Sequence, residues 1–138
     1  MADPVLLDTC AALWLMAGEP MSDAGRAAIR NARAANVGVY VSPFTAWEIG
    51  TLTAKGRIQL TLSPEVWFDT LLGFPGVRLA PLTPAILLAS TALPGSPPSD
   101  PADRIIAATA RVHGQVIVTR DRKLLAYSRE GHIRVKAC

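Results

Sequence analysis

The chain has 138 residues, half of them apolar, and a formal net charge of +3. That length fits one compact domain over residues 1–138 with a core that needs no staples, and no apolar run approaches the roughly 20 residues of a bilayer span. Cys10 and Cys138 lie apart from any CxxC or Cys/His spacing, which argues against a zinc site and a disulfide scaffold alike. "MADPVLLDTC" has no basic region followed by a long apolar stretch, so the expected location is cytoplasmic, with no membrane partner. The positive charge favours a polyanionic partner but does not identify one.

In chain order, "PVLLD" (Pro4 to Asp8) predicts a buried strand, leading into "CAALWLMAG", a short helix ended by Gly18. Asp8 thus stands where strand becomes helix. From Ser22, "SDAGRAAIRNARAAN" predicts a helix with Arg26, Arg30 and Arg33 on a solvated face, and "VGVYVS" (Val37 to Ser42) a second strand. Four helix starts share one device, an N-cap side chain followed by proline: Ser42-Pro43, Ser63-Pro64, Thr83-Pro84 and Asp100-Pro101. "GVRLAPL" (Gly76 to Leu82), "GQVIVT" (Gly114 to Thr119) and "HIRVKA" (His132 to Ala137) read as strands three to five. Only "LPGSPPS" (Leu93 to Ser99) is too rich in Pro, Gly and Ser for regular structure. The alternation predicts an α/β fold, a parallel sheet of about five strands covered on both faces.

In such a sheet, ligands bind beyond the carboxyl ends of the strands, where the strand order reverses. Asp8 closes the first strand and Asp121 follows the fourth by two residues; Glu48 lies about two turns into the helix after the second. Asp103 is in the first turn of the helix feeding the fourth strand, which must begin at that same edge. Four carboxylates so placed repel one another, and a hard divalent cation such as Mg²⁺ or Mn²⁺ neutralises such a cluster. The same ion polarises a phosphoryl oxygen and lowers the pKa of water, so phosphodiester hydrolysis is the expected chemistry.

Helix capping competes with that reading. Asp100 and Asp103 fit the N-cap and N3 places of a capping-box variant, and Asp121 suits the N-cap of "RKLLAY". The sister helices carry Thr45, Val66 and Ile86 where Asp103 stands, so the shared helix start does not account for an acid there. Glu48, between Trp47 and Ile49, requires a partner in its apolar setting. Trp14, Trp47 and Trp67 are expected in the core, and His113 and His132 in structural roles.

"LLDTCAALWL", "VSPFTAWEIGTLTAKGRI", "APLTPAILLASTALP", "DPADRIIAATA" and "VIVTRDRKLLAY", in this order, resemble the PIN-domain family, specifically VapC-type toxins of type II toxin–antitoxin pairs. The resemblance implies a PIN-like three-layer α/β/α domain and an endoribonuclease that hydrolyses RNA with a metal-activated water. It implies Mg²⁺ or Mn²⁺ as cofactor, inhibition by a small cognate antitoxin, and a homodimer. Asp8, Glu48, Asp103 and Asp121 match the family's acidic metal-binding positions, Asp100 matches an additional acid of a DPxDR subgroup, and Thr9 and Thr119 match polar residues near the metal. Ser99 and Ala102 depart from the pattern, standing where relatives often carry a histidine and a large apolar residue.

Lys55, Arg57, Arg104, Arg120, Arg122 and Lys123 flank the acid-bearing segments and are the candidate contacts to RNA phosphates. Two rivals are weaker. A catalytically inactive PIN-like module that binds RNA or protein does not explain the intact acids. A receiver or haloacid-dehalogenase-like phosphotransfer domain is disfavoured because position 10 is Cys10 rather than a second aspartate and no paired acids precede Asp8.

Overall fold

The computed structural model describes residues 2–138. Along the chain run β1 (Val5–Leu7), α1 (Thr9–Ala17), α2 (Asp23–Ala34), β2 (Val39–Val41), α3 (Pro43–Ala54), α4 (Pro64–Leu72) and β3 (Val77–Leu79). They are followed by α5 (Pro84–Thr91), α6 (Pro101–His113), β4 (Val116–Thr119), α7 (Arg122–Ser128) and β5 (Arg134–Ala137). All five strands pair in parallel in the order β3-β2-β1-β4-β5, with Leu7 of β1 level with Val41 of β2 and Val118 of β4.

The alternation of side chains along a strand sorts the core into two layers. Val5, Leu7, Val39, Val41 and Val118 face one way, onto Ala11, Ile29, Ile49, Trp67 and Leu71 of α1 to α4. Leu6 and Ile117 face the other way, onto Ile106, Ala107 and Ala110 of α6 and Leu124 and Tyr127 of α7. With both faces covered, the central strands have no polar side, which is why they read as continuous apolar runs. The result is the three-layer α/β/α arrangement expected from the sequence.

The four Pro-marked helix starts form as predicted. Ser42, Ser63, Thr83 and Asp100 are N-caps whose side chains accept from the backbone N–H of Phe44, Val66, Ile86 and Ala102, each with proline in the first turn. Gly18 ends α1 and Gly114 ends α6 in the left-handed conformation that a C-terminal cap needs, at φ of 69° and 64°. The segment 93–99 lacks regular structure yet is tied down: Tyr127 Oη donates to the Pro94 carbonyl at 2.6 Å and Ser96 N to Glu130 at 2.9 Å. It delivers the chain to the start of α6.

The tryptophans divide. Trp67 is buried, Trp14 is half-buried, and Trp47 is 62% exposed, contrary to the core position expected for it. The cause is the rotation of α3, which turns Thr45 and Ile49 inward and leaves position 47 on the outside. Among the described residues both cysteines are free thiols, and no helix is long and apolar enough to cross a membrane.

Candidate active site

The strand order reverses between β1 and β4, and the connections leaving them part to opposite sides. At their carboxyl ends lies a cleft of about 370 Å³ whose lining includes Asp8, Thr9, Glu48, Asp103, Arg120 and Asp121, against an apolar wall of Leu13, Leu52 and Ile106. All four acids singled out from the sequence therefore meet in one place.

Asp8 is buried and caps α1, accepting from Ala11 N at 2.7 Å. Its other oxygen accepts from Thr119 Oγ1, and that hydroxyl in turn accepts from Asp121 N at 2.9 Å. Thr119 thereby joins the acid after β1 to the acid after β4. Burial pushes the Asp8 carboxyl above its ordinary range, the bonds from Thr119 and Ala11 pull it back, and the charge of Asp121 raises it further.

Glu48 has the partner its apolar setting demands: Thr9 Oγ1 donates to it at 2.5 Å, with Thr45 Oγ1 3.3 Å from the same hydroxyl. Its carboxyl is also raised, by burial first, against the bond from Thr9 and with the charges of Asp100 and Asp8 adding to the rise. Asp103 is raised most clearly, to about 7, by burial and then by Asp121 and Asp100, with Lys123 opposing and Glu48 reinforcing.

The capping readings separate the acids. Asp121 does cap α7, but with one oxygen, Oδ1, taking both Lys123 N (2.7 Å) and Leu124 N (3.4 Å). Its place in the cleft is thus compatible with its place in the helix. Asp103 makes no reciprocal bond to the backbone N–H of Asp100 among the described residues, so no capping box closes and its carboxylate is left to the cleft. Asp100 is an exposed cap that does not line the cleft. That Asp8 is itself an N-cap went unread in the sequence, although an aspartate between an apolar run and a helical one is the ordinary signal. Three helix N-termini, those of α1, α6 and α7, thus converge on the acids, and their positive dipole ends offset part of the mutual repulsion.

The six basic candidates do not share one situation. Arg120 lines the cleft but is held by the protein, 3.2 Å from the centroid of the Trp14 ring and donating to the Cys138 carbonyl at 2.7 and 3.2 Å. Arg104 turns to α5, donating to the Ser90 carbonyl at 3.2 Å. Lys55, Arg57, Arg122 and Lys123 are exposed.

Among the described residues, no three His, Cys, Asp or Glu side chains are drawn together tightly enough to grip an ion as they stand. The donor set nevertheless suits a hard, hydrated cation: it consists of carboxylates and hydroxyls, and an ion such as Mg²⁺ keeps several of its waters while bound by few carboxylates. The three carboxyls are raised first by burial and then by the charges of neighbouring acids, and a divalent cation would favour their ionised forms.

Asp100 offers a direct check. Asp100→Asn keeps the cap and is expected to melt with the parent, while Asp100→Ala loses the cap at about 1 kcal/mol of stability in thermal unfolding. An alanine variant as stable as the parent would show that Asp100 does not cap α6.

The PIN domain family model matches residues 5–130 of the chain. The sequence is 38% identical to Ribonuclease VapC22 of Mycobacterium tuberculosis over 125 residues, 89% of this chain and 91% of that protein. The fold is similar to that in the crystal structure of VapBC2 from Rickettsia felis bound to a DNA fragment from their promoter, with a TM-score of 0.66, 12% identity, and coverage of 96% of this chain and 97% of that one. It is also similar to DNA-bound VapBC from Salmonella typhimurium, with a TM-score of 0.59, 24% identity, and coverage of 99% and 98%.

Proposed function

The chain belongs to the PIN-domain family, and on that premise we propose that it is a VapC-type endoribonuclease, the toxin of a toxin–antitoxin pair, which hydrolyses RNA with a divalent cation, Mg²⁺ or Mn²⁺. The observation that carries this reading is the meeting of Asp8, Glu48, Asp103 and Asp121 in one cleft at the switch point of the sheet, with three of the four carboxyls raised. The 38% identity to a protein named as a ribonuclease supports it.

Asp8, Glu48 and Asp103 would hold the cation, directly or through waters, and Asp121 would complete the site. When bound, the ion supplies Lewis acidity toward a phosphoryl oxygen and makes water easier to deprotonate. The chain's own part is positioning. Ala11 N and Thr119 fix the Asp8 carboxylate, and Thr9 aims that of Glu48. The Asp103 carboxyl, raised to about 7, would give up its proton in taking part in holding a cation. RNA phosphates are repelled by the acids, so exposed cations outside the cleft, Lys55, Arg57, Arg122 and Lys123, hold the backbone.

A small cognate antitoxin would silence the enzyme by covering the cleft, and the working form would be a cytoplasmic homodimer. The solved VapBC structures that share the fold support the toxin–antitoxin setting. Purified protein is expected to cut an RNA pool in Mg²⁺ or Mn²⁺ and to stop when EDTA is added. Cleavage undiminished by EDTA would remove the cation from this account, and failure to cut any RNA would leave a binding module.

A further inference from the structure

Trp47 is 62% exposed, an unusual situation for so large an apolar side chain. It is not loose, because its ring stacks on Phe44 one turn earlier in α3, with centroids 5.1 Å apart and planes 26° from parallel. Elsewhere on α3, Thr45 and Ile49 are buried, and Glu48 and Leu52 line the acidic cleft. At about 100° per residue, one stretch of the helix surface carries Trp47, Thr51, Phe44 and Lys55 in that angular order and meets the cleft wall at Glu48. Lys55 is exposed at the end of this side, with Arg57 just beyond it.

A flat aromatic surface, held in place by its own stacking partner, therefore lies about 100° round α3 from Glu48, and shares its side of the helix with a cation. A nucleobase is the group that fits it. Every base has a π-face, stacking on tryptophan shields both rings from water, and the attached phosphate is drawn to nearby ammonium or guanidinium groups. The acids of the cleft repel RNA phosphates except where a bound cation would face them, so contacts to the rest of the strand have to lie beside it.

We propose that Trp47, seated on Phe44, stacks a base of single-stranded RNA next to the bond to be cut, while Lys55 holds the adjoining backbone. This rests on the ribonuclease reading and adds a positioning residue to it. Single strands are preferred to duplexes, whose base faces are already covered.

The test uses the full chain carrying Asp8→Asn, so that RNA is bound and not cut, with a short fluorescein-labelled single strand followed by anisotropy. Trp47→Ala is expected to raise Kd about 5- to 150-fold, Trp47→Phe to restore binding to within a few-fold, and Trp47→Leu not to restore it. In the chain with native Asp8, the Trp47→Ala effect falls on KM rather than kcat. RNA quenches tryptophan emission in the parent and much less in Trp47→Phe, which retains Trp14 and Trp67.

A Kd unchanged in Trp47→Ala, or equal rescue by leucine, overturns stacking. So does a Trp47→Ala protein that halves its mass in sedimentation while binding RNA as before, which would make this side of α3 an interface between copies. If the parent neither binds nor cuts any RNA, the ribonuclease reading fails first and stacking with it, an outcome distinct from a parent that cuts RNA but is indifferent to position 47.

Discussion

Asp8→Asn is expected to reduce RNA cleavage by about 10³-fold or more while the protein stays folded, an effect on the scale of losing a group that stabilises developing charge. Asp8 is the most buried of the four acids, at 6% exposure, and the only one on the carboxyl end of the central strand. Asparagine has the same shape and can still accept from Ala11 N, so the cap of α1 survives at a cost below about 1 kcal/mol. What it lacks is the charge, and the second oxygen that accepts from Thr119. Single-turnover cleavage at saturating Mg²⁺ and thermal unfolding, measured side by side, separate the two effects. Cleavage within about threefold of the parent would remove Asp8 from the site. Asp8→Ala should lose the same activity and, in addition, about 1 kcal/mol from the lost cap.

Asp103→Asn is expected to do the opposite to stability, raising it in metal-free protein above pH 7. The Asp103 carboxyl titrates near 7 in the folded chain, against about 3.9 in an unfolded one. Between those values the folded state holds a proton that the unfolded state has released, so raising the pH through that window favours unfolding. The destabilisation is complete above pH 7 and absent below pH 4. Because the group is only half-buried, solvent screening reduces the effect to about 1–2 kcal/mol, or about 3–6 °C in Tm. The variant should therefore melt higher than the parent in EDTA at pH 8 and match it at pH 4. Millimolar Mg²⁺ or Mn²⁺ should raise the Tm of the parent and do much less for the variant. A variant that melts lower in EDTA at pH 8 would show that Asp103 is not a repelled charge.

Most of the architecture could be read before the structure because it is written locally. The N-cap and proline pairs fixed where α3, α4, α5 and α6 begin, and the apolar runs marked strands buried on both faces. The rule that ligands gather at carboxyl ends then brought Asp8, Glu48, Asp103 and Asp121 to one edge, where the cleft lies. What stayed hidden depends on partners distant in sequence. The bond from Thr9 to Glu48 spans 39 residues and that from Thr119 to Asp8 spans 111. Arg104 and Arg120 look like free cations until Ser90, Trp14 and Cys138 are seen beside them. Trp47 has apolar neighbours in sequence, but its exposure is set by the rotation of α3, which a three-residue context does not record.

The hydroxyl of Thr119 has a single hydrogen, and that hydrogen points to Asp8 because the oxygen is already accepting from Asp121 N. A proton placed on that oxygen of Asp8 would need Thr119 as its acceptor, and the threonine hydrogen would then have nowhere to go. No such arrangement protects Asp103, which receives no hydrogen bond among the described residues. A cluster of like charges sheds repulsion by taking up one proton; burial and the charges of Asp121 and Asp100 favour Asp103 as its address, while the bonds from Thr119 and Ala11 N disfavour the aspartate at the centre of the sheet. Thr119→Val would lessen that asymmetry without touching a single acid, leaving Ala11 N as the remaining donor to Asp8.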